Sequence, residues 1–152
     1  MKSRSNNSTP AHLLMVDDNK MGLNARKSVM EELGYQVSTV STPAEALERL
    51  SKDHFDLVIT DYKMPGMNGT ELIKRMRKQE YVIPVVLISG FVDALGLNEA
   101  NTGADVVILK SAHEVSNMVR SVRSLLRRTS AKKPAASQTA ASRTAAARKQ
   151  RA

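Results

Sequence analysis

Five short apolar runs punctuate the chain, at residues 12–16, 35–40, 55–60, 83–88 and 104–109. Each is too short for a buried helix and rich in β-branched residues, which marks a strand. Apolar positions at helical spacing fill the stretches between them: Met21, Ala25, Val29 and Leu33; Ala44, Leu47 and Leu50; Leu72, Ile73 and Met76. After the last run come Val115, Met118, Val119, Val122, Leu125 and Leu126. Residues 91–103 carry only a modest helical pattern, interrupted by Gly96. The helix ends have matching chemistry. Thr42-Pro43 sets a cap before a proline at the first helical position, Glu45 follows in the first turn, and Gly34 stops the helix ending at Leu33.

Five strands alternating with five helices, at roughly 23 residues per unit, demand a parallel sheet with right-handed crossovers. The fold expected is therefore a doubly wound α/β domain. Strands buried on both faces read as continuous apolar runs, as the first, third, fourth and fifth do. In the second, Gln36 and Ser38 flank Val37, so it is expected at an edge.

Composition narrows the function. A chain of 152 residues accommodates one domain and an extension. It has no Cys, hence no disulfide framework or thiolate metal site, and His12, His54 and His113 stand too far apart for a histidine site. The first apolar run is too short for a signal core or membrane span, so a cytoplasmic protein without membrane contact is expected.

The net charge of +8 is unevenly placed. Arg127, Arg128, Lys132, Lys133, Arg143, Arg148, Lys149 and Arg151 crowd the last stretch, which has no acid, while all 15 acidic residues lie before it. The expected organisation is a disordered polar start over 1–10, a domain over 11–127 and a disordered basic Ala/Lys/Arg-rich tail over 128–152. Residues 127–152 could make weak, salt-dependent contact with nucleic acid, but no aromatic there can stack on bases. No region of helix-turn-helix size follows residue 127, so a fused DNA-reading domain is not expected.

Ligands of an open parallel sheet bind beyond the carboxyl ends of its strands. The residues there are Asp17 and Asp18, Asp61, Ser89 and Lys110. Three carboxylates on neighbouring strand ends repel one another unless a cation offsets them, and hard oxygen donors suit Mg²⁺. Lys110 adds a second positive charge. Such a rim favours phosphoryl transfer, with a carboxylate as nucleophile. Asp61 is the best candidate because it stands alone on its strand. Met64 and Met67 read as packing residues, and Pro65-Gly66 and Asn68-Gly69 as turn chemistry. Lys63 is either solvated or placed to affect water access.

In this order and spacing, Asp17-Asp18, Asp61 within 61–69 (DYKMPGMNG), Ser89 and Lys110 resemble the receiver domain of two-component response regulators. The resemblance implies a flavodoxin-like sheet of order 2-1-3-4-5 and Mg²⁺-dependent transfer of phosphate from a sensor histidine kinase or phosphotransfer protein to Asp61. It further implies that Asp18, Asp61 and the backbone carbonyl of Lys63 ligate the ion, and that Asp17 acts mainly through water. Ser89 and Lys110 would bind phosphoryl oxygens and report to a downstream protein through the face of the fourth helix, fifth strand and fifth helix. Two positions depart from the family pattern. Ser111 follows Lys110 where proline is usual, and Val107 stands where an aromatic usually swings behind Ser89. Phe91 is expected to serve in the switch instead.

Three other readings compete. A Mg²⁺-dependent aspartyl-phosphate hydrolase needs an acid two residues after its nucleophile, where Lys63 stands. A nucleotide or flavin site needs a Gly/Ser/Thr-rich first loop, which here reads Asp17-Asp18-Asn19-Lys20. A phosphate-independent binding module is encouraged only by Val107 and Ser111. The expectation is a switch, monomeric at rest, and not an enzyme.

Overall fold

A computed structural model describes residues 9–131. The strands are β1 (His12–Val16), β2 (Gln36–Val40), β3 (Leu57–Asp61), β4 (Val85–Ser89) and β5 (Val106–Leu109). The helices are α1 (Lys20–Glu32), α2 (Pro43–Lys52), α3 (Gly69–Lys78), α4 (Val92–Leu95) and α5 (Glu99–Thr102), followed by α6 over 114–131. Of the segments expected at 1–10 and 128–152, residues 1–8 and 132–152 lie outside the described residues. α6 runs four residues past the domain end placed at 127.

All strand pairings are parallel, and the sheet order is β2-β1-β3-β4-β5, the flavodoxin-like arrangement. Alternate side chains go to opposite faces. Leu14, Val16, Val58 and Leu87 meet Ala46 and Leu50 of α2 and Leu72, Ile73 and Met76 of α3. Leu13, Met15, Ile59 and Ile88 meet Leu23 and Met30 of α1 and Met118, Val122 and Leu125 of α6. The three central strands are thus sealed on both sides. β2 is an edge as its pattern implies, and β5, apolar as it is, forms the other, leaving Leu109 37 % exposed.

Two elements differ from the sequence reading. On α1 the inward residues are Leu23, Arg26 and Met30, while Met21 and Leu33 face solvent. A strict i, i+4 series drifts about 40° per step around a helix, so Met21, Ala25, Val29 and Leu33 cannot share one narrow face. The helix expected over 91–103 is two short ones. Gly96 caps α4 in the left-handed region at φ 60°, and Asn98 restarts the chain through a capping box with Asn101.

The β3–α3 connection is compressed against the strand end. The Gly69 amide donates to the Tyr62 carbonyl at 2.7 Å. A Cβ at Gly69 would stand 2.5 Å from the Asp61 carbonyl oxygen and 2.6 Å from Leu87 Cδ1, so only glycine fits this approach. Urea denaturation is expected to show Gly69→Ala destabilised by about 1–3 kcal/mol, the usual cost of overpacking. Gly90→Ala, where a Cβ meets nothing within 4 Å, should stay within about 0.5 kcal/mol of wild type.

Candidate functional site: an acidic pocket at the sheet's carboxyl rim

Four of the five strand ends build the pocket. β1 runs out at Val16 and leaves Asp17 and Asp18 ahead of α1, whose N-cap is Asn19. β3 ends in Asp61, β4 ends in Ser89, and Lys110 follows β5. Asp17 and Asp61 are buried, whereas Asp18 is exposed. One carboxylate oxygen from each lies within 4.8 Å of the other two, the one such cluster among the described residues. Asp18, Asn19, Asp61, Lys63, Gly90, Phe91 and Lys110 share the lining of a cleft of about 460 Å³.

Two side-chain cations hold these charges together. Lys110 Nζ lies 2.9 Å from Asp61 Oδ1. On the inner side, Arg26 Nη1 donates to Asp17 Oδ2 at 2.7 Å while its Nε donates to Glu114 Oε2 at 3.1 Å. The Asn19 amide donates to Asp17 Oδ1 at 2.9 Å. Both oxygens of Asp17 therefore have protein donors, which suits contact with an ion through water. Asp18 and Asp61 face the cleft.

Burial pushes the Asp61 carboxyl above its ordinary value, and the nearby Asp17 charge pushes the same way; the hydrogen bond and charge of Lys110 pull against them. Burial also works against the Arg26 charge, but the hydrogen bonds to Glu114 and Asp17 outweigh it and hold the guanidinium above its ordinary value. The donor set is three carboxylates, hard oxygen ligands that fit a small divalent cation such as Mg²⁺.

Ser89 is buried and its Oγ accepts the Phe91 amide at 2.9 Å, which leaves the hydroxyl proton free for an anion. Phe91 itself is 40 % exposed, with Lys63 Nζ over its ring at 5.3 Å from the centroid. That cation–π contact closes one wall of the cleft. Val107, opposite Leu87 on β4, packs with the α2/α3-side core. Arg26 and Glu114 were not singled out in the sequence. The available signal was a basic residue in phase with Leu23 and Met30 on the buried face of α1.

The direction of the Asp61 shift sets a pH dependence. Its folded value lies above 3.8, so the native state takes up this proton at higher pH than the unfolded chain does. The Asp61 contribution to metal-free stability is thus greatest in acid and falls as pH rises from 3.8 through the folded value. Asp61→Asn is expected to remove that fall and to raise metal-free stability near neutral pH by about 1 kcal/mol, read by urea denaturation across pH.

The geometry has close relatives. The family model described as "Response regulator receiver domain" matches residues 13–143. The chain is 32 % identical over 115 residues to the response regulator receiver protein CpdR of Brucella abortus, covering 75 % of this chain and 94 % of that protein. It is 30 % identical over 129 residues to the transcriptional regulatory protein PhoP of Bacillus subtilis, of which it spans 51 %, and it spans 13 % of the putative response regulator ARR21 of Arabidopsis thaliana. Among solved structures, a CheY-like receiver domain from Methanospirillum hungatei superposes with a TM-score of 0.74 at 26 % identity, covering 82 % of this chain and 99 % of that one. The Thermotoga maritima regulator TrrA, solved with Mg²⁺ and beryllium fluoride, gives 0.67 at 27 % identity over 76 % of this chain and 98 % of that one. With its pocket at the rim of a 2-1-3-4-5 sheet, this chain belongs to the receiver domains of two-component response regulators.

Proposed function

We propose that the chain is a phosphoacceptor switch in which Asp61 takes a phosphoryl group from the phosphohistidine of a sensor kinase or phosphotransfer protein. The observation that carries this reading is the buried Asp61 carboxylate, held by Lys110 at 2.9 Å and flanked by Asp17 and Asp18. A carboxylate oxygen of Asp61 attacks phosphorus, the donor's N–P bond breaks, and the electron pair leaves with the imidazole, which takes a proton from solvent. Lys110, released from the free carboxylate, neutralises the transferred oxygens, and the Ser89 hydroxyl donates to one of them. Asp18 and Asp61, with the Lys63 backbone carbonyl, would hold Mg²⁺, which supplies charge neutralisation on the phosphoryl oxygens.

Lys63 and Phe91 line the cleft, and no carboxylic acid stands two residues past Asp61 to drive hydrolysis of outside substrates. The product is a changed surface rather than a released compound. A cytoplasmic setting, a monomeric resting state and a downstream protein partner belong to the same proposal. No described helix is long and apolar enough to cross a membrane.

Intact mass after incubation with acetyl phosphate tests the reading. One Mg²⁺-dependent phosphoryl adduct is expected on the wild type, with none on Asp61→Asn, and Lys110→Ala should slow its formation at least about tenfold. No adduct under any condition, or an adduct that persists in Asp61→Asn, would overturn it in favour of a phosphate-independent module or a different acceptor.

A further inference from the structure

The phosphoryl chemistry leaves one buried ionic path unused. Arg26 is 7 % exposed and projects from α1 between the pocket floor and the start of α6. Two different nitrogens of one guanidinium serve two carboxylates, Asp17 on the pocket side and Glu114 at the first turn of α6. The Glu114 amide donates to the Ser111 carbonyl at 3.2 Å, so this end is joined to the loop that follows Lys110. The same guanidinium thus joins the pocket to a residue 88 positions away in the chain.

We propose that Arg26 is a positioning residue that ties cation loading of the acidic pocket to the first turn of α6. The proposal rests on the receiver reading, since it needs a divalent ion beside Asp17. In the metal-free pocket one positive charge is shared between two carboxylates. A doubly charged ion at the cleft draws on Asp17 and repels the guanidinium across a partly desolvated gap, and Glu114 is the partner that gains. The linkage is reciprocal: the Arg26 charge opposes the ion and keeps its affinity low. It also bypasses the position of Val107 and reaches α6 through charge rather than through an aromatic swing.

The test uses the full chain as wild type, Glu114→Gln, Arg26→Lys and Arg26→Met, with Mg²⁺ affinity from calorimetry and amide hydrogen exchange over residues 111–118. In wild type, Mg²⁺ is expected to slow exchange over 111–118. Glu114→Gln should bind Mg²⁺ within about threefold of wild type yet lose that response. Arg26→Lys keeps the charge without the two-sided fork and should behave likewise. Arg26→Met should bind Mg²⁺ roughly tenfold more tightly, a gain that simple loss of packing would not produce. If Arg26→Met does not fold, the lysine and glutamine variants decide the matter alone. A full exchange response in Glu114→Gln, or unchanged affinity in a folded Arg26→Met, overturns the inference while leaving the receiver reading intact. A wild type that binds no Mg²⁺ overturns both.

Discussion

Three carboxylates gathered at adjoining strand ends are a cost that the surrounding structure has to offset. Asp17 and Asp61 are buried, with Asp18 beside them, and like charges at this range raise one another's energy. Lys110 from the β5 end and Arg26 from α1 supply the opposing charge, one at each side of the cluster. Their placement constrains much else. α1 must turn Arg26 inward at the expense of an apolar contact, and β5 must sit beside β4 so that Lys110 reaches across to Asp61. The β3–α3 loop must also return so closely that only Gly69 can occupy the bend. The two cations leave the pocket offset but not saturated, since Asp18 remains exposed at the mouth.

The opposite rim of the sheet shows what acids do when they serve structure. There Asp56 accepts the His12 amide at 2.8 Å and Asp105 accepts the Val85 amide at 2.8 Å, each on a strand's first turn of hydrogen bonds. Arg77 closes that end by donating to the Tyr81 and Ile83 carbonyls and to Asp105. Those carboxylates are spread out, each bonded to a strand's backbone amide and to a neighbouring side chain. The acids of the carboxyl rim are instead clustered, with Asp17 alone committed to a backbone amide. That contrast between dispersed and convergent acids separates scaffold from chemistry within one sheet.

Much of this was legible in the chain itself, because strand ends are where a short apolar run stops. Reading the residue after each run located Asp17, Asp18, Asp61, Ser89 and Lys110 at one rim, since the parallel order follows from short apolar runs alternating with stretches of helical spacing. Arg26 escaped the same reading. A charged residue on an inward helical face is discounted by any hydrophobic pattern, and its justification, Glu114, lies on a helix that meets α1 only after folding. The split at Gly96 was legible as an interruption, but the Asn98–Asn101 box that restarts the chain depends on reciprocal side-chain geometry rather than on polarity. Phe91, expected in the switch, lies under Lys63 at the cleft wall, a pairing between neighbouring loops that no local pattern encodes.

The balance of charge in the pocket is tested most directly by a crystal structure of the full chain grown with Mg²⁺ and beryllium fluoride. The result expected is a fluoride adduct on Asp61 within reach of Lys110 and Ser89, the ion contacting Asp18 and Asp61, and Asp17 one water removed. Direct coordination by Asp17, or an ion bound away from Asp18 and Asp61, would contradict it.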